Sequence, residues 1–270
     1  MSAPARMRAI VAAAALVAAA VVAGVVYATR QDPAQAKARC TGGIPAAVYP
    51  GAPAKNVAAV KKALAKGPKR AARALEALAA EQPNDPVVQF NYATALFCAG
   101  FEADAVQAYR TAKKVGRDTR YQVVADNLLH PEYFKGGYPL FQYEGREPLL
   151  IQGQIAQRNF HQETAERLWA RAARLHPNDP NAQVAAAVGR FDMDNLNASF
   201  SRLGPLVKRF PRSQTVRYHL GLLLAWTGQG PLALKEFRAA RALDPATTFG
   251  KEANTFVTHL ANGGTQGSKR

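Results

Sequence analysis

The sequence predicts an all-α fold: a solenoid of stacked antiparallel helix pairs, closed at its C-terminal end by one capping helix. Three observations carry that expectation. Pro177, Pro211 and Pro245 recur at intervals of 34 residues, and self-similarity at that period marks arrays of helix pairs. Inside the units, small residues and aromatics return at matching places. After the last unit, Phe249, Ala253, Phe256, Val257 and Leu260 fall at helical spacing, as in a helix that covers the exposed end of a stack. With 270 residues, 48% hydrophobic and 20% charged, the chain is apolar enough to build a core and is not a disordered polymer.

The first element lies upstream of the repeats. Ala9 to Ala28 is a run of 20 residues without a charge, after a leader holding Arg6 and Arg8. As a helix it spans about 30 Å, the thickness of a bilayer's hydrocarbon core. Residues 1–30 therefore read as a single-pass transmembrane signal anchor. A signal peptide cleaved near Val26-Tyr27-Ala28, leaving a secreted chain, is the alternative. The basic leader favours an N-terminus inside and the bulk outside, while Arg30, Lys37 and Arg39 pull the other way. A long following domain translocates largely regardless of charge, so the repeat domain is expected to be extracytoplasmic. Residues 31–54, rich in Pro and Gly, read as a flexible linker; 55–262 read as the repeat domain and 263–270 as a disordered tail.

The net charge of +16 raises nucleic acid, anionic lipid or anionic polymer as partners, and its distribution discriminates among them. Residues 33–75 hold nine basic side chains and no acid, whereas the last 195 residues carry only +5. Lys61, Lys62, Lys66, Lys69, Arg70 and Arg73 are accordingly the candidate contacts to an anionic lipid surface or envelope polymer. They follow an apolar span, and a Lys or Arg near an anionic surface contributes up to ~1 kcal/mol.

Residues 55–83 read as an eroded helix pair with Ala71, Leu75 and Pro83 in register. The unit from Pro86 carries Ala93, Leu96, Gly100, Ala105, Tyr109, Ala112 and Val115, with Arg117 where a closing proline is expected. The unit from Arg146 carries Gly153, Ala165, Trp169, Ala172, Leu175 and Pro177, with Phe160 in place of the mid-unit glycine. The unit from Pro180 keeps Ala187, Leu203 and Pro211 but has Ser199 and Leu206 where alanine is expected. The unit from Gln214 is the clearest: Leu220, Gly221, Gly228, Ala233, Phe237, Ala240, Leu243 and Pro245. Small residues let paired helices approach, an aromatic fills the gap between neighbours, and proline ends the second helix. In these residues the chain resembles the tetratricopeptide repeat family over about residues 55–247. The resemblance implies a right-handed α-α superhelix with a concave groove lined by the first helix of each pair.

The register breaks between Pro83 and Pro177, in residues 118–145. A helix is expected over Thr119–Leu129, and the glycines and prolines that follow forbid a regular second one. Six of the chain's 23 aromatics lie in this insertion, which reads either as a binding loop or as a local plug, the plug being favoured.

By the family's geometry, Gln154, Arg158, Asn181, Phe191, Tyr218 and Trp226 are candidate peptide-binding groove residues. They belong to a set of 20 groove positions, five from each of four repeats, that are mostly apolar, which suits a hydrophobic peptide or partner helix and does not support recognition of a C-terminal carboxylate. The same side chains could instead face the insertion or the capping helix. Arg158 is the only basic residue among them, so nucleic acid is disfavoured.

Enzyme signatures are missing from the sequence. The five histidines show no metal-ligand spacing, no phosphate-cradling glycine loop is present, and nothing calls for a cofactor. Cys40 and Cys98 either form a disulfide, which would fold the linker back over the first repeat, or are two unrelated thiols. The expectation is a membrane-tethered, non-catalytic scaffold of the cell envelope that binds a peptide or partner-protein helix. The competing class is an envelope enzyme whose acids converge from separate repeats, marked by two or more carboxylates in one cleft.

Overall fold

The computed structural model describes Cys40 and residues 43–131 and 139–263; the apolar run 9–28 and the tail from 264 onward lie outside them. Among the described residues the chain is all-α, without strands. The helices are α1 Ala54–Leu64, α2 Pro68–Glu81, α3 Pro86–Ala99, α4 Glu102–Val115, α5 Arg120–Leu129, α6 Pro148–Arg158, α7 Gln162–Leu175, α8 Pro180–Gly189, α9 Leu196–Leu203, α10 Leu206–Arg209, α11 Gln214–Trp226, α12 Gly230–Leu243 and α13 Thr248–Gly263. Neighbours in sequence pack as pairs, compatible with a helical-repeat stack, and α13 covers the last pair by packing on α12 and α11.

Local chemistry sets the helix ends. Asp85, Asp179 and Glu147 accept hydrogen bonds from first-turn amides of α3, α8 and α6, each followed by a proline whose missing N–H costs nothing there. Gly100 and Gly228 turn the chain between paired helices with φ of 89° and 77°. Phe160 stands at the matching turn of the third pair with φ of 66°, a conformation that side chains rarely adopt. Pairing is tight where the sequence is small: a Cβ on Gly221 would lie 2.8 Å from the Phe237 ring, and one on Gly153 would collide with the Trp169 indole. In the degenerate pair, Gly204 and Pro205 split the second helix into α9 and α10.

The apolar interior is divided in two. One core gathers α1–α5 around Leu75, Val87, Phe90 and Tyr121, and the other gathers α6–α13 around Leu150, Trp169, Tyr218 and Phe237. Helix α5 feeds both, sending Tyr121 and Ala125 to the first and Val123 to the second. The division falls where the repeat register breaks. Polar contacts bridge it. Asp118 accepts hydrogen bonds from Thr164 through both carboxylate oxygens (2.9 and 2.6 Å), Arg117 pairs with Glu163, and the Arg120 guanidinium lies between the rings of Tyr49 and Phe160 (4.8 and 4.7 Å).

Candidate functional site

Two extended segments of the chain lie against α3, α5, α6 and α11. The first runs through residues 43–49, within the stretch read as a linker. The structure corrects that reading for these residues, because Ile44 is buried in the first core and the backbone is held. Asn91, itself fully buried, brackets Ala47: its Oδ1 accepts the Ala47 N–H and its Nδ2 donates to the Ala47 carbonyl, both at 2.8 Å. The Tyr121 hydroxyl accepts the Tyr49 N–H and donates to the Ala47 carbonyl (3.2 and 3.3 Å), and the Tyr49 ring tilts onto Tyr121. Just upstream, Cys40 and Cys98 are joined by a disulfide that anchors this segment to the end of α3.

The second segment, residues 139–143, serves the other half in the same way. Gln157 accepts the Phe141 N–H at 2.9 Å and donates to the Pro139 carbonyl at 3.1 Å. The Phe141 ring is buried edge-on to Trp169 and against His219, while His219 Nε2 accepts the Gln142 N–H at 2.9 Å. The opposite ring nitrogen of His219 meets the Thr215 carbonyl at 2.7 Å, so the hydrogen bonds specify a neutral ring protonated at Nδ1. Complete burial lowers the His219 pKa to about 4, the carbonyl contact opposing that shift. Beneath this segment a void of ≈ 10 Å³ remains, lined by Pro139, Leu140, Phe191 and His219, no larger than one water. This part of the insertion is a plug.

The six candidate groove residues do not form one surface. Tyr218 is completely buried under α13, its ring stacked on Phe249 and its hydroxyl donating to Glu252. Asn181 turns back on Asp179, the residue that caps its own helix. Phe191 and Trp226 meet edge to face at 5.2 Å, with Phe191 buried. Gln154 and Arg158 remain on α6, half-buried and exposed, beside the exposed Ile151 and Ile155. The six candidate basic residues are all exposed on α1, α2 and the turn between them.

Carboxylates gather at two places. Lys113 bridges Asp126 (2.6 Å) and Asp194 (2.7 Å), and His130 Nε2 lies 2.9 Å from Asp194. Asp126, His130 and Asp194 thus bring metal-ligand atoms within 4.8 Å of one another, but the Lys113 ammonium already supplies the positive charge between the acids. Burial works against that ammonium, yet the paired carboxylates outweigh it and hold its pKa above the ordinary range; Lys113 in turn holds Asp194 below its own. At the second place, burial raises the Glu252 pKa against hydrogen bonds from Tyr218 and Gln142, with nearby Glu144 adding to the rise. The Tyr218 hydroxyl is pushed far up by its burial and by Glu252.

No family model matches the chain, nor does any curated protein or solved structure. The site therefore stands on its own residues. Sequence reasoning marked Gln157 as a groove position but missed Asn91 and His219, the other polar side chains that hold the two segments. A local signal was present: Asn91 stands between Phe90 and Tyr92, and His219 between Tyr218 and Leu220.

Proposed function

We propose that the chain is a tetratricopeptide-type scaffold: a right-handed superhelix tethered by its N-terminal apolar run, with the repeat domain outside the cytoplasm, that binds a partner-protein helix or peptide without catalysis. The observation that carries the reading is the face of α6. Ile151, Gln154, Ile155 and Arg158 follow at i, i+3, i+4 and i+7, and the two isoleucines are 37% and 55% exposed. Tyr218 lies buried under α13, so we assign the partner surface to the exposed Ile151 and Ile155 of α6 rather than to the whole set of groove positions. The disulfide supports the extracytoplasmic placement, because such bonds persist in oxidising compartments. Among the described residues no helix is long and apolar enough to cross a membrane, so the tether rests on residues 9–28 alone. The basic face of α1 and α2 fits contact with anionic lipid or envelope polymer.

A test is affinity capture from native membranes with the full chain and with Ile151→Lys/Ile155→Lys. The reading expects a specific protein retained by the parent and lost with the double variant at unchanged helicity. Equal recovery from both would remove α6 as the partner surface. The enzyme reading has in its favour Glu252, whose carboxyl pKa is raised chiefly by burial with nearby Glu144 adding to the rise, and the approach of Asp126 and Asp194 across Lys113. It would require Glu252→Gln to abolish an activity while leaving the fold intact.

A further inference from the structure

The turn between α1 and α2 borders an open cleft of ≈ 390 Å³ whose walls include Lys66, Lys69, Arg70 and Cys98. We propose that this cleft is a binding site for a phosphate-bearing anion, with the headgroup of an anionic phospholipid as the source its position favours. Three positive side chains surround one concavity, and none of the ion pairs among the described residues involves them. The opening turn of α2 also lacks a side-chain cap, whereas α3, α6 and α8 are each capped by an acidic side chain.

The chemistry of the lining selects the ligand class. A guanidinium offers a planar fork to two oxygens, and ammonium groups approach other oxygens as point charges, so a tetrahedral anion is contacted from several sides at once. A carboxylate, with two coplanar oxygens, uses fewer of these donors. The volume suits a phosphate with a small attached group. Position then favours a lipid source, a step that rests on the tethered reading above. Cys40, bonded to Cys98 in the cleft wall, lies 12 residues beyond Ala28, a reach of at most about 40 Å from the end of the apolar run.

The test uses the full chain in maltoside micelles, titrated with inorganic phosphate and, for comparison, with acetate at equal ionic strength. Two variants remove the same charge from different places: Lys66→Gln/Lys69→Gln/Arg70→Gln in the cleft, and Lys61→Gln/Lys62→Gln/Arg73→Gln outside it. The site predicts amide shifts at residues 66–70 and at Ala99 with phosphate. It also predicts an affinity loss of at least about ten-fold in the cleft variant and little in the other. Equal losses in both variants, or equal response to acetate, would overturn it in favour of a diffuse basic surface. Micelles make this readout independent of orientation, so it can succeed where the tethered reading fails. Phosphatidylcholine nanodiscs with and without phosphatidylglycerol then identify the source. Competition with phosphate only when phosphatidylglycerol is present supports the lipid headgroup, and its absence overturns the lipid source and leaves a soluble phosphate compound as the ligand.

Discussion

Acidification should loosen the second half through His219. In the fold this ring accepts the Gln142 N–H and is fully buried, so it stays neutral down to about 4, against an ordinary value of 6.5. A histidine with a lowered folded pKa contributes stability that is complete above 6.5 and lost as pH falls towards 4. At pH 5 the unfolded chain has taken up the proton and the folded one has not, which costs about 2 kcal/mol relative to neutral pH. Glu252 works with the opposite sign, because its raised pKa favours the fold at acid pH and that contribution fades as pH rises. Asp194 enters only below its ordinary 3.8, outside this window. Urea unfolding of the full chain and of His219→Gln at pH 7 and pH 5 separates these. The parent should lose about 2 kcal/mol more than the variant. Identical losses would refute the assignment of a neutral, segment-holding histidine.

Other expectations follow from the same contacts. Gln157→Ala leaves the Phe141 N–H and Pro139 carbonyl without their side-chain partner and should cost about 1–3 kcal/mol, with faster amide exchange confined to residues 139–143. Reduction of Cys40–Cys98, which closes a loop of 58 residues, should lower stability by up to about 4 kcal/mol and expose two alkylatable thiols. Phe160→Gly relieves the left-handed backbone but removes the ring over Arg120, so a double-mutant cycle with Arg120→Ala should show about 0.5–1 kcal/mol of coupling. Gly221→Ala drives a methyl against Phe237 and should cost about 1–3 kcal/mol, read from the urea midpoint.

The helix pairs were legible because their signals are local and repeat: proline at 177, 211 and 245, glycine at 100 and 228, Ala233 and Phe237 at fixed intervals. The two extended segments were not, since residues 43–49 and 139–143 have no period and owe their place to partners more than 15 positions away. A proline- and glycine-rich stretch looks like a linker whether it is free or gripped, and Asn91 decides which. Tyr218 was placed in the groove by analogy with regular repeats, where the next pair continues the surface. Here α13 takes that position and buries it. Phe160 was legible as a departure from glycine, but its purpose appears only when Arg120 arrives from the other half.

The central claim is that the chain fills its own grooves and offers α6 to a partner. A photocrosslinking amino acid placed in turn at Ile155, at Tyr218 and at Leu232, an exposed residue on α12, tests it most directly in native membranes. The account predicts one specific protein adduct from Ile155 and none from the other two. Adducts from Tyr218 with none from Ile155 would contradict it, showing an open groove beneath α13 where the structure has a closed one.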